Sequence, residues 1–178
     1  AGWLILFAPR PQAVYDMNLM ALKLAEEFLL PVAVAYDGFF TSHQKRKCRV
    51  FSQDQTVQEY IGAYERRENA LNMENPVTIG SYMGEKDILQ NKYELHQAME
   101  QSERRIQPVF DEYGGLSGRF YQKIEGYRTE DAKVLLVLLG SSFETAKEAV
   151  DELREKGIAA GVVTLLVLRP FPAKELWE

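Results

Sequence analysis

Leu30-Pro31-Val32-Ala33-Val34-Ala35-Tyr36-Asp37-Gly38, residues 30–38, decides the fold. An uncharged run rich in valine and alanine that stops at an Asp-Gly turn is the pattern of a strand buried on both faces. Upstream of it, Val14, Met17, Ala21, Leu24 and Phe28 recur at steps of three and four, so they share one face of a helix whose first turn takes Pro11. Before that helix, Trp3 to Ala8 is a second apolar run, closed by Pro9 and Arg10. Strand, helix, strand of this length implies a parallel pair with a right-handed crossover. The loop Asp37 to His43 then lies at the carboxyl edge of the sheet, where ligands tend to bind. One such unit cannot cover both faces of its sheet, so residues 1–43 are expected to end a larger domain, with Ala1 inside it.

The same grammar returns at the other end. Val134 to Leu139 reads as a strand, Gly140-Ser141-Ser142 as a turn, and Phe143, Ala146, Val150 and Leu153 as one face of a helix. Ser141 with Glu144 three residues on predicts a capping box, and Gly157 after Lys156 predicts the helix terminator. Val162 to Leu168 is a further strand stopped by Pro170, and Pro172 to Glu178 opens another helix. Between the two units the chain is polar and punctuated by Asn75-Pro76, Gly80, Gly84, Gly114-Gly115 and Gly118. Its one long periodic stretch is a helix near 87–107, with Leu95, Met99, Ser102, Ile106 and Val109 as its stripe and Pro108 ending or kinking it. The predicted class is α/β: parts of two open, mainly parallel sheets with flanking helices, joined by a long, partly helical connector. The expected division is 1–44, a connector over 45–131, and 132–178.

Composition excludes several functions. The 178 residues are 46% hydrophobic and 26% charged, close to an average globular domain. The net charge of −5 comes from 21 basic and 26 acidic residues and is spread along the chain, so no segment offers the positive surplus that nucleic-acid binding needs. A single cysteine, Cys48, makes no internal disulfide and holds no iron–sulfur cluster, which points to a reducing, cytoplasmic setting. Every apolar run falls short of the roughly 18 residues of a membrane span. Trp3 to Ala8 is also a poor leader, because no basic stretch precedes it.

Chemistry concentrates at two places. The loop after residues 30–36 delivers Asp37, Gly38, Thr41, Ser42 and His43 together. Asp37, Ser42 and His43 are therefore candidates for acid–base work, although a turn cap at Asp37, an unusual backbone angle at Gly38 and a surface His43 explain the same residues. Gly140, Ser141 and Ser142, with Gly38, are candidates for holding an anionic group, since a strand-to-helix turn points amides outward; neither a dinucleotide fingerprint nor a phosphate-loop lysine accompanies them. Lys45-Arg46-Lys47-Cys48-Arg49 places cations around the one thiol, a pattern that a solvated charge run also explains. His96 has only Glu100 at helical spacing, so no metal site is expected.

Several stretches together resemble the alpha chain of the 2-oxoacid:ferredoxin oxidoreductases, of which the pyruvate enzyme is the best known. Gly2-Trp3, the helix from Pro11, and Leu30-Pro31-Val32 leading into Asp37-Gly38-Phe39 and Thr41-Ser42-His43 are similar to the end of that family's pyrimidine-side thiamine diphosphate domain. Asn75-Pro76-Val77-Thr78, then Gly118-Arg119, Tyr121 and Tyr127, resemble its connecting region. Lys133 to Ser141 and Leu168-Arg169-Pro170-Phe171-Pro172 resemble its second domain, similar to the carboxyl-terminal domain of transketolases.

The resemblance implies thiamine diphosphate, magnesium and [4Fe–4S] clusters in the whole complex, with ferredoxin, coenzyme A and diphosphate-binding and iron–sulfur subunits or domains as partners. It implies no cofactor bound by this chain alone, because the Gly-Asp-Gly signature is absent and the family's pyrimidine glutamate and substrate arginine belong upstream. The rival readings are a non-catalytic α/β interaction or anion-binding module and a transketolase-like enzyme piece that works without ferredoxin.

Overall fold

A computed structural model describes residues 2–63, 72–76, 80 and 82–177. Ala1, Val77, Thr78 and Glu178, on which parts of the sequence reading fall, lie outside the described residues. The first unit forms in the expected order, but its second strand is not buried on both faces: it lies at the edge of its sheet and is only partly buried. β1 (Leu4–Ala8) runs into α1 (Pro11–Phe28), which starts with Pro11 in its first turn and ends at Leu29 in the left-handed region, φ 53°. β2 (Val32–Tyr36) then pairs parallel with β1, Leu4 opposite Val32 through Ala8 opposite Tyr36. α1 buries Ala13, Met17, Met20, Ala21 and Leu24 on the sheet, and Asp16 lies in the same stripe.

The connector is more structured than its polarity suggests. α2 (Asp54–Ile61) buries Tyr60. α3 runs from Glu85 to Ser117 and so continues past Pro108, which is not its end. A proline costs one backbone hydrogen bond there, but Ile106, Val109, Phe110 and Tyr113 are all fully buried, and their packing against α1 carries the helix onward. It stops only at Gly118, φ 70°, whose amide donates to the Gly114 carbonyl. β3 (Ile124–Tyr127) follows; four residues with a glycine among them are too short for a period to show.

β4 (Val134–Leu138), α4 (Ser142–Glu155) and β5 (Ala160–Leu165) make the second unit, and Gly157, φ 80°, terminates α4 as predicted. β4 and β5 pair parallel, while β3 pairs antiparallel with β5, giving a sheet of order β3-β5-β4. The run read as one strand, Val162 to Leu168, is divided. β6 (Val167–Arg169) leaves the second sheet and pairs antiparallel with β1, making the first sheet β2-β1-β6. Each sheet is therefore mixed rather than mainly parallel: the two crossover pairs are parallel, and each gains one antiparallel strand. α5 (Ala173–Trp177) opens just after Pro172. The main core lies between α1, α3 and the first sheet, and a smaller one joins Phe143, Ala146 and Val150 to Ala160 and Val162. β4, at the edge of its sheet, leaves Val134, Leu135 and Val137 half exposed.

Candidate functional site

The carboxyl ends of both parallel pairs converge. Asp37 follows β2 and Gly140 follows β4, and the Asp37 carboxylate accepts a hydrogen bond from the Ser141 amide at the start of α4. Gly140 makes this approach feasible: it sits at φ 62°, and a Cβ there would fall on the Asp37 carboxylate. Two candidate groups from opposite ends of the sequence are thus one contact.

The capping box expected from Ser141 and Glu144 is not the cap that forms. The Ser141 side chain makes no cap hydrogen bond, and Asp37 joins Glu144 of the first turn in bringing negative charge to the positive end of α4. Glu144 turns instead to Arg10 at 3.1 Å, and Arg10 also grips Glu125 of β3 at 2.9 and 3.1 Å. Burial opposes the charged form of Arg10, but Glu125 and Glu144 outweigh it and raise its pKa.

The rest of the 37–43 loop is arranged differently from the sequence reading. Gly38 does not adopt a positive φ; Phe39 does, at 57°, and a Cβ at Gly38 would meet nothing within 4 Å. Ser42 Oγ and His43 Nδ1 lie 2.5 Å apart, both on exposed residues, and the imidazole stacks on the Phe39 ring at 5.1 Å between centroids. Thr41 is the buried member of the loop. Ser142 borders a hollow beside Phe40. Cys48 is exposed and unpaired, in the wall of a cleft that also contains Arg46 and Lys47.

A second polar centre escaped the sequence reading. Asp16 is fully buried, and its oxygens accept from Arg119 Nε at 2.7 Å and Nη2 at 2.8 Å, Tyr113 Oη at 2.7 Å, Tyr121 Oη at 2.5 Å and Gln12 Nε2 at 3.0 Å. Burial pushes the Asp16 carboxyl up, but the hydrogen bonds from Arg119, Tyr121, Tyr113 and Gln12 prevail and hold it below the usual carboxylate range. Burial and the adjacent carboxylate push both tyrosine hydroxyls well above their ordinary value. This cluster is saturated with partners and ties α1 to the end of α3 and the segment after it. The signal was available: Asp16 stands between Ala13 and Met20 at helical spacing, a carboxylate inside an apolar stripe.

These residues do not fit a thiamine diphosphate grip. The sequence has no Gly-Asp-Gly, no group of three potential metal ligands occurs among the described residues, and the amide of Ser141, the residue just before α4, is already bonded to Asp37.

A family model described as pyruvate flavodoxin/ferredoxin oxidoreductase, thiamine diphosphate-binding, matches residues 1–111, and one described as pyruvate:ferredoxin oxidoreductase core domain II matches residues 132–178. The chain belongs to the 2-oxoacid:ferredoxin oxidoreductase alpha chains. Among curated relatives of this family, the pyruvate synthase subunit PorA of Pyrococcus furiosus is 36% identical over 179 residues, which cover 99% of this chain and 45% of that protein. The corresponding subunit of Thermotoga maritima is 36% identical, with 100% and 46% covered. The ketoisovalerate oxidoreductase subunit VorA of Pyrococcus horikoshii is 34% identical, with 99% and 45% covered. The chain thus spans about half the length of the curated relatives it matches. A 2-oxoglutarate:ferredoxin oxidoreductase from Magnetococcus marinus shares the fold, with a TM-score of 0.51 at 18% identity over 98% of this chain and 32% of that one. No helix among the described residues is long and apolar enough to cross a membrane.

Proposed function

We propose that the protein to which this chain contributes oxidatively decarboxylates a 2-oxoacid, with pyruvate the first candidate. In the balanced reaction, 2-oxoacid and coenzyme A yield acyl-coenzyme A, carbon dioxide and a proton, and the electron pair goes one electron each to two oxidised ferredoxins. Thiamine diphosphate with magnesium supplies the carbanion chemistry, and [4Fe–4S] clusters on partner subunits or domains carry the electrons in the cytoplasm. The observation that carries this reading is the succession of the two family matches along one chain.

Within that assembly the segment acts mainly as architecture. Residues 1–44 end the pyrimidine-side domain, 45–131 connect, and 132–178 begin the second domain. Asp37 and Arg10 hold the start of α4 and β3 against the first unit, and so fix the joint beside which the cofactor domains meet. Gly38, Ser42, His43, Gly140 and Ser142 shape the surface of that joint.

The test is coenzyme A-dependent viologen reduction by the full protein with its partner subunits, screened over pyruvate, 2-oxoisovalerate and 2-oxoglutarate in the presence of thiamine diphosphate and magnesium. We expect the highest kcat/KM on pyruvate. Failure of all three acids to reduce the dye would overturn the reading.

A further inference from the structure

The 37–43 loop holds one contact that plays no part in holding the joint. Ser42 Oγ and His43 Nδ1 stand 2.5 Å apart on two exposed residues, within hydrogen-bond reach. With the ring proton on Nε2, the imidazole accepts the hydroxyl hydrogen at Nδ1, which is the relation of a nucleophile to its general base. Such a base also needs a fixed orientation. No carboxylate of the loop supplies it, because Asp37 is engaged by the Ser141 amide; the Phe39 ring does, stacked on the imidazole with centroids 5.1 Å apart and planes 25° from parallel.

The backbone builds the stack. The His43 amide donates to the Phe39 carbonyl at 3.1 Å, which closes a turn and brings the two rings to one side of the loop, and the Phe40 amide donates to the Gly38 carbonyl at 2.7 Å. Thr41, buried between these exposed residues, anchors the turn. Phe39 sits at φ 57°, in the left-handed region that a residue with a side chain rarely adopts. A glycine there would take the angle without cost, so what position 39 contributes is the ring, held in a strained place beside the imidazole. Lys45 and Lys47 follow on exposed residues, without an ion-pair partner among the described residues, and their positive field favours the oxyanion that forms when a hydroxyl attacks a carbonyl. Ser52 is the natural comparison. It is also exposed but has neither histidine beside it, since His43 is bonded to Ser42 and His96 lies 3.5 Å from Glu100.

We propose that Ser42 is a nucleophile activated by His43 and takes the acyl group of small activated esters. Ser42 Oγ forms a bond to the acyl carbon as its proton passes to His43 Nδ1; the bond from the acyl carbon to the leaving oxygen breaks, and the proton departs with the alcohol. The products are O-acyl Ser42 and the free alcohol, with nothing oxidised or reduced. Both residues lie open to solvent, so a good leaving group rather than a shaped acyl pocket selects the donor. The activity needs no thiamine diphosphate, coenzyme A or partner subunit, and it holds or fails independently of the oxidoreductase reading.

The probe is p-nitrophenyl acetate, which carries no phosphate, added to the full protein in the absence of 2-oxoacid and coenzyme A. The reaction is quenched in acid at timed intervals and the acetylated residues are read by peptide mass spectrometry. Ser42 is expected to acetylate roughly a hundredfold faster than Ser52, the lower end of what a positioned base contributes. His43→Gln should remove that advantage. Phe39→Leu should reduce it and Phe39→Tyr should keep it, because tyrosine restores the stacked ring. Circular dichroism should be unchanged in all three variants, since both side chains are exposed. Acetylation of Ser42 no faster than that of Ser52 would overturn the proposal. So would labelling confined to lysines and Cys48, or a Ser42 rate indifferent to both His43→Gln and Phe39→Leu.

Discussion

Five hydrogen bonds end on the two oxygens of Asp16, a number that decides how the residue responds to substitution. Asp16→Asn removes the charge that compensates Arg119, and breaking a buried pair in this way costs about 3–5 kcal/mol. Urea denaturation of the variant should show that loss as a lower midpoint. The folded Asp16 carboxyl titrates below its unfolded value, so its stabilisation is full above the ordinary carboxylate pKa and disappears as pH falls through the lowered one. The wild-type stability should therefore drop steeply below about pH 4, and the Asn variant should lose much of that slope; equal slopes would show that Asp16 does not titrate as the structure requires. Asp37 makes the complementary case. Its acceptor role toward Ser141 depends on the bare Cα of Gly140, so Asp37→Ala and Gly140→Ala should both lower turnover of the full protein, and more than Cys48→Ser does. Dye-reduction rates unchanged in the first two would make the contact irrelevant to turnover. Asp16 was legible as an anomaly in its stripe but its partners were not, because Tyr113, Arg119 and Tyr121 lie about a hundred residues away and no local spacing rule reaches that far.

Among the elements, the two strand–helix–strand units were readable because uncharged strands and a 3.6-residue stripe leave marks within a short window. What was not readable depends on distant packing. α3 outruns Pro108 because buried side chains beyond it meet α1, and β3 becomes a strand because β5 is there to pair with. Gly161 in β5 tests how tightly that pairing is built. A Cβ at Gly161 would stand 2.6 Å from the Arg128 carbonyl oxygen, 2.9 Å from Leu135 Cδ2 and 3.0 Å from Ala132 Cβ. The first obstacle is backbone and cannot rotate aside, so Gly161→Ala should destabilise by about 1–3 kcal/mol, the range of overpacking. Gly157→Ala is the control: it meets nothing within 4 Å, and its cost, of the order of 1 kcal/mol, is that of its left-handed φ alone. Urea midpoints that rank Gly157→Ala as the more damaging would show that the β5 neighbourhood yields.

At the scale of the whole molecule, the decisive feature is one continuous stretch, Ala160 to Arg169, that serves the second sheet as β5 and the first as β6. Leu166 at the switch is fully buried; its carbonyl accepts from the Phe7 amide at 2.8 Å, and its own amide donates to the Lys123 carbonyl at 2.9 Å. The passage between sheets is therefore hydrogen-bonded to the first unit on one side and to the approach to β3 on the other, leaving no slack linker at which one sheet might open alone. Arg10 and Asp37 add polar contacts that orient the same joint, but the half-exposed ion pairs of Arg10 contribute little to stability beside a buried strand. The two sheets should thus open as one cooperative unit. Leu166→Ala, expected to cost about 2–5 kcal/mol as a large-to-small core substitution, should accelerate hydrogen exchange of β1 and β5 amides by the same factor. Exchange that speeds up in β1 while β5 keeps its protection would mean that the strand divides at Leu166 into two separable folding units, and the sheets would then be neighbours rather than parts of one structure.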